Sequence, residues 1–110
     1  MTPEDLFRKK LGLHRATVEK LRGHPELLSV VRRNIQSISH ANPLLQDRLS
    51  EWEKLLDQGP EHLFAAMLDE SERGQEFRKS SPIAGILTNE ERWGYFRALK
   101  AELDRPEPNA

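Results

Sequence analysis

Apolar side chains recur three or four residues apart through most of this 110-residue chain. The first such stripe is Phe7, Leu11, His14, Val18 and Leu21, which is apolar except for its one histidine. This spacing places all five side chains on one face of an α-helix. Nowhere does the sequence alternate apolar and polar residues, as a half-buried β-strand would. The pattern therefore predicts an all-α fold.

Local start signals divide the chain into short helices. Four side chains suited to capping a helix N-terminus begin these units: Thr2, Asn42, Asp69 and Thr88. Proline follows the first two directly, and a glutamate lies three residues after the last two, which is the spacing of a capping box. These signals predict a compact single-domain bundle of five or six short helices over residues 1–104. Residues 105–110 contain two prolines and are expected to form a disordered tail.

The composition argues against several classes of protein. The chain has no cysteine, which excludes disulfides, zinc–thiolate sites and thiol nucleophiles. Its longest apolar runs are far shorter than the roughly 20 residues of a membrane-spanning helix. The acidic N-terminus does not resemble a signal peptide, which begins with a basic segment followed by an apolar one. With 32% charged residues, the expectation is a soluble cytoplasmic protein that does not bind membranes.

The residues that usually carry chemistry are not grouped for it. None of the four histidines has a second histidine or a glutamate at the spacing used by helical metal sites. His14 belongs to the apolar stripe and is expected to be a half-buried core residue. Ser80 and Ser81 have no evident general base nearby in the sequence, and no glycine-rich phosphate loop is present. We therefore expect no catalytic residues, no metal site and no cofactor, and we interpret the protein as a non-enzyme.

Charge is distributed unevenly along the chain. Residues 1–41 contain eight Lys/Arg and four Asp/Glu, whereas residues 42–110 contain nine and fourteen. One interpretation is a DNA-binding regulator that uses basic helices 1–2, where Arg32, Arg33 and Asn34 could contact DNA. The other, which we favour, is that basic and acidic helix faces pair within the protein. The acidic third helix and a net charge of −1 disfavour nucleic acid as the partner.

Residues 77–93 form the segment most suggestive of function. They include an apolar loop, residues 81–87, that lacks helical punctuation and places Ile83, Ile86 and Leu87 between Pro82 and the Thr88 capping box. One interpretation is a buried connector that completes the core, and the other is an apolar loop that docks on a partner. The candidate partner-binding residues are Phe77, Ser81, Pro82, Ile83, Gly85, Ile86, Leu87, Arg92 and Trp93.

Two stretches of the sequence resemble a known group of proteins. Residues 80–93 read Ser-Ser-Pro-Ile-Ala-Gly-Ile-Leu-Thr-Asn-Glu-Glu-Arg-Trp, and residues 46–56 read Gln-Asp-Arg-Leu-Ser-Glu-Trp-Glu-Lys-Leu-Leu. Together they resemble small all-helical bacterial proteins associated with toxin–antitoxin gene pairs, over most of residues 13–100. The resemblance implies an antitoxin-like protein that binds and neutralises a co-encoded toxin. It carries no catalytic residues.

The first apolar stripe leaves a further alternative open. Its 4-3-4-3 spacing suits coiled-coil-like packing. The chain could therefore be a homodimeric structural protein in which the stripe pairs with its own copy.

Overall fold

The computed structural model describes residues 2–104, which form six α-helices and no strand. The helices are α1 Pro3–Gly23, α2 Leu28–Ala41, α3 Gln46–Gln58, α4 Pro60–Met67, α5 Glu72–Arg78 and α6 Asn89–Leu103. Short 3₁₀ turns, Pro25–Leu27 and Pro43–Leu45, lead into α2 and α3. The predicted all-α bundle is confirmed. The predicted disordered tail, residues 105–110, lies outside the described residues.

Capping boxes hold the first and last helices at their N-termini. The Thr2 hydroxyl accepts from the Asp5 amide at 3.1 Å, and the Asp5 carboxylate accepts from the Thr2 amide. Thr88 and Glu91 make the same reciprocal pair, at 3.1 and 2.8 Å. Each box satisfies backbone amides that have no partner within the helix. The predicted starts at Thr2 and Thr88 are thus confirmed.

Two predicted starts differ from the structure in detail. Asn42 caps the short 3₁₀ turn before α3, where its side chain accepts from the Leu44 amide at 3.3 Å. The predicted cap at Asp69 is wrong, because Ser71 is the N-cap of α5 and its hydroxyl accepts from the Gly74 amide. The Asp69 carboxylate instead accepts from the Ser71 amide at 2.9 Å. Asp69 thus forms the turn that precedes the helix.

The core is built around Trp52 of α3, whose side chain is fully buried. Side chains from the first four helices and from the segment after α5 surround it. The buried members are Val18, Leu21, Val31, Ile35, Leu49, Trp52, Leu56, Leu63, Phe64, Met67 and Ile86. The predicted stripe on α1 supplies four buried residues, including His14. This face of α1 is therefore covered by the chain's own core, so pairing with a second copy through it would require the core to open.

The last helix lies outside this core. Helix α6 packs on α1 and contributes no buried residue. Its contacts on α1 include Lys9, Gly12 and Lys20. These three lie on a different side of α1 from the core residues Leu11 and Val18, since successive residues turn by about 100°. The first helix is thus covered by the core on one side and by α6 on another.

Gly12 allows the close approach of α6. The Tyr95 hydroxyl donates to the carbonyl oxygens of Arg8 and Lys9, at 3.3 and 3.1 Å. A Cβ atom at position 12 would collide with that hydroxyl. The glycine that weakens α1 locally is therefore also the point where the two helices meet, and α1 continues through it to Gly23.

None of the helices in residues 2–104 has the length and apolarity needed to span a membrane.

Candidate functional site

The connector between α5 and α6, residues 79–88, packs into the body of the protein. Pro82, Ile86 and Leu87 are buried, and Ile83 packs against the core. The exposed fraction of the Ile86 side chain is only 1%. These aliphatic residues therefore serve the core in this structure, and they do not present an apolar docking loop.

A tight turn folds the connector inward. The Ile86 amide donates to the Ile83 carbonyl at 3.2 Å, which closes a four-residue turn. Gly85, its third residue, has φ +83°, as a type II turn requires at that position. Because a side chain disfavours this backbone region, glycine is the residue best suited to it.

Asn34 of α2 holds the same turn from the side. Its side-chain amide donates to the carbonyl oxygens of Pro82 and Ala84, at 3.0 and 2.8 Å. The Asn34 side-chain amide, which we had considered as a contact for DNA, is therefore hydrogen-bonded within the protein. It satisfies two backbone carbonyls that the irregular connector would otherwise leave without partners.

We expect Asn34→Ala to lower the free energy of unfolding by about 1–3 kcal/mol, since the partly buried Pro82 carbonyl and the exposed Ala84 carbonyl both lose their donor. Urea denaturation followed by circular dichroism measures the change. Gln36→Ala, at an exposed position on the same helix, is the matched control and should change stability by less than about 0.5 kcal/mol. Equal effects of the two substitutions would contradict the role assigned to Asn34.

A histidine–serine hydrogen bond fixes the start of the connector. His14 Nδ1 lies 2.7 Å from the Lys10 carbonyl oxygen, and Nε2 lies 2.8 Å from Ser81 Oγ. A carbonyl can only accept, so Nδ1 carries the proton, and the Ser81 hydroxyl then donates to Nε2. Ser81 has no general base nearby in the sequence, but the fold brings His14, 67 residues away, into hydrogen-bond contact with it.

Serine beside histidine is also the arrangement of a catalytic nucleophile and its base. Here the His14 ring is 3% exposed, and a backbone carbonyl takes the orienting position that a carboxylate often fills in triads. The pKa of His14 is lowered to about 4, chiefly by burial and to a smaller extent by the charges of Arg78 and Lys10, while the hydrogen bond to the Lys10 carbonyl opposes the shift. A base with this pKa accepts a proton weakly at neutral pH, so we interpret the pair as a structural link between α1 and the connector.

Phe77, the first residue of the segment 77–93, is half-buried against Trp52. The two rings stack at 4.0 Å with planes 10° apart. The Trp52 indole Nε1 donates to the Phe77 carbonyl at 3.2 Å, so its one polar atom is satisfied within the core. Phe77 therefore completes the packing around Trp52 and leaves only part of its ring at the surface.

Arg78, which the sequence did not single out, anchors the turn between α4 and α5. Its side chain is buried, and Nη1 donates to the carbonyl oxygens of Met67 and Asp69. The guanidinium also lies 5.7 Å from the centre of the Phe7 ring. Burial lowers the pKa of Arg78, while Asp69 and Glu70 oppose that shift. The only indication of this role in the sequence was that Arg78 is a basic residue near the end of a helix. Basic side chains there often donate hydrogen bonds to backbone carbonyls.

Arg92 and Trp93 are the two candidate residues on α6, and both are exposed. Both belong to the first turns of α6, and the Trp93 side chain is 65% exposed. Of the nine candidate residues, Phe77 therefore lies in α5, six lie in the largely inward-packed connector, and two lie on the exposed side of α6. Of the large apolar side chains in residues 2–104, Leu6, Leu44 and Trp93 are the markedly exposed ones.

The basic N-terminal half pairs with the acidic half of the chain. Four of its cations make ion pairs across the fold: Arg15–Glu70, Lys20–Glu91, Arg22–Glu61 and Arg32–Asp57. This agrees with the favoured interpretation of the charge asymmetry. Surface pairs of this kind each contribute little to stability, yet they reduce the positive charge that α1 and α2 could offer to DNA.

No cluster of metal-binding side chains occurs within residues 2–104, taking His, Cys, Asp and Glu in groups of three or more. Comparison with protein-family models, with curated proteins and with solved structures found no match to this chain.

Proposed function

We propose that this chain is a non-enzymatic protein–protein interaction module that binds and neutralises a co-encoded toxin. The observation that carries the proposal is the incomplete cover of α6. This helix has five large apolar side chains and none is buried: Trp93, Tyr95, Phe96, Leu99 and Leu103. A helix that leaves such residues partly uncovered is suited to binding another protein.

Trp93 is the expected centre of the binding surface. Tryptophan and arginine are the residue types most enriched at binding hot spots, and Arg92 and Arg97 lie beside Trp93 in the sequence or one turn away. The connector contributes indirectly, because its buried residues and the Thr88 capping box fix where α6 begins. The resemblance of residues 46–56 and 80–93 to antitoxin-like proteins supports a toxin as the class of partner.

Co-expression with the adjacent gene tests this proposal. A tagged copy of the chain should co-purify with the neighbouring gene product, and that product should arrest growth when expressed without the chain. If the neighbour neither co-purifies nor is toxic alone, the proposed function is wrong.

We expect Trp93→Ala to weaken the complex at least tenfold while leaving thermal melting nearly unchanged, since the side chain is mostly exposed. Isothermal titration with the purified neighbour measures the affinity. Leu44→Ala, at an apolar residue that is 92% exposed and lies between α2 and α3, is the matched control and should bind as the wild type does. If Trp93→Ala binds equally well, the binding surface lies elsewhere.

A further inference from the structure

Two cations lie over a single aromatic ring on α6. Lys9 Nζ is 4.9 Å from the centre of the Phe96 ring, and Arg92 Cζ is 6.0 Å from it. Both distances are those of cation–π interactions. Arg97 follows Phe96 and lies one turn after Trp93, so it shares the exposed side of the helix with that tryptophan. We call these five residues the cationic–aromatic patch: Lys9, Arg92, Trp93, Phe96 and Arg97.

The cations of this patch lack carboxylate partners within residues 2–104. Elsewhere on the same two helices, Arg8 pairs with Glu4, Lys20 with Glu91 and Lys100 with Asp104. The carboxylate one turn before Lys9 is Asp5, which is hydrogen-bonded in the Thr2 capping box. The patch therefore has a local excess of positive charge on a protein whose formal net charge is −1.

Exposed apolar surface accompanies this charge. Trp93 is 65% exposed, and Leu6, one turn before Lys9 on α1, is 47% exposed. A ligand for this surface must therefore supply both negative charge and an apolar group. A protein segment that carries acidic and apolar side chains together meets both requirements.

We propose that the cationic–aromatic patch binds an acidic, apolar-containing segment of a partner protein. This inference rests on the proposed function in taking a protein as the partner. The partner's apolar side chain packs on Trp93 and Phe96, while its carboxylates pair with Arg92 and Arg97. Arginine suits this role because its planar guanidinium can both stack on a ring and hold a carboxylate.

A nucleic acid fits the same surface less well. Three cations can make only a few phosphate contacts, whereas proteins that bind DNA strongly make roughly six to ten. The chain as a whole has a formal net charge of −1, so an extended polyanion gains little attraction beyond these three cations. A short acidic protein segment can bind the three cations without needing a longer basic surface.

The test uses the full chain and a fluorescein-labelled synthetic peptide composed of Glu, Asp, Leu and Phe. Fluorescence anisotropy at low salt should show saturable binding to the wild type. Binding should weaken at least tenfold in the double variant Arg92→Gln/Arg97→Gln. The matched control is Arg33→Gln/Arg48→Gln, which removes the same charge from two exposed positions on α2 and α3 and should bind normally. Circular dichroism should show that both double variants are folded.

Tryptophan quenching gives a second reading of where the peptide binds. The chain has two tryptophans, and only Trp93 is accessible, since Trp52 is fully buried. Acrylamide should therefore quench Trp93 selectively, and the acidic peptide should protect it. Peptide binding without protection of Trp93 would place the site elsewhere and overturn the proposal.

Three further results would also overturn it. They are no binding of the acidic peptide by the wild type, unchanged binding by Arg92→Gln/Arg97→Gln, and tighter binding of a single-stranded oligonucleotide than of the peptide. Failure here is distinguishable from failure of the proposed function. If the neighbouring gene product binds Arg92→Gln/Arg97→Gln as tightly as it binds the wild type, the proposed function stands and the patch proposal fails.

Discussion

Ile86→Asp should unfold the protein. The Ile86 side chain is 1% exposed and belongs to the same core cluster as Trp52 and Ile35. An aspartate there would bury a carboxylate within an apolar cluster, and it would also remove apolar packing. We expect a loss of more than about 4 kcal/mol. Because small domains are stable by only about 5–15 kcal/mol, circular dichroism should show a largely unfolded chain or a much lower melting temperature.

The matched control for this substitution is Leu44→Asp. Leu44 is 92% exposed, so the same change from an aliphatic residue to a carboxylate should alter stability by less than about 0.5 kcal/mol. If Ile86→Asp melts as the wild type does, the connector is not part of the core. The interpretation of residues 81–87 as a docking loop would then regain its support.

Signals confined to a few neighbouring residues predicted the helices well. The boxes at Thr2 and Thr88 involve partners three residues apart, so the sequence shows both members of each pair. The start of α5 was predicted at Asp69, which is wrong, although Ser71 two residues later is a residue of the same capping type. The structure uses Ser71 as the cap and Asp69 in the preceding turn. Arg78, nine residues further along the chain, donates to the Asp69 carbonyl in the same turn.

Contacts between distant parts of the chain could not be predicted in the same way. The partner of Ser81 is His14, and the partner of the Pro82 carbonyl is Asn34, each of which lies on another helix. An apolar run without helical periodicity is compatible with either a buried or an exposed loop, and burial is decided by such contacts. Gly12 illustrates the same limit, since its role depends on Tyr95, more than eighty residues later in the sequence.

The placement of α6 explains why the candidate surface differs from the segment that the sequence emphasised. Aliphatic residues in the connector attracted attention because loops are usually polar, and the structure uses them to complete the core. The last helix, in contrast, reads from its spacing as an ordinary amphipathic helix. Only its position on α1, away from Trp52, leaves its aromatic side chains available to a partner.

Acidification should destabilise the protein through His14. The pKa of this ring is about 4 in the folded state, against an ordinary value of 6.5, chiefly because burial disfavours the charged imidazolium. Arg78 and Lys10 add electrostatic repulsion, and the hydrogen bond to the Lys10 carbonyl opposes part of the shift. Between these two pKa values the unfolded chain binds more protons than the folded one. The stability that the neutral ring provides is therefore complete above about pH 6.5 and falls as the pH is lowered towards 4.

The expected loss across this window is about 3 kcal/mol, since each pKa unit corresponds to about 1.4 kcal/mol. Urea denaturation at pH 7 and at pH 4.5 measures most of it. His14→Gln should lose much less stability between these two values, because glutamine does not titrate. His62→Gln, at an exposed histidine, is the matched control and should lose as much as the wild type.

Carboxylates contribute at lower pH and can be separated from this effect. The Lys20 ammonium and the Thr88 amide hold the pKa of Glu91 at about 2, and hydrogen bonds from Thr2 lower the pKa of Asp5. The stability that these two carboxylates contribute is lost as the pH falls below the ordinary pKa values of carboxyl groups. That pH range lies mostly below the one in which His14 acts. If His14→Gln and the wild type lose equal stability between pH 7 and pH 4.5, His14 is not the buried neutral histidine that links α1 to the connector.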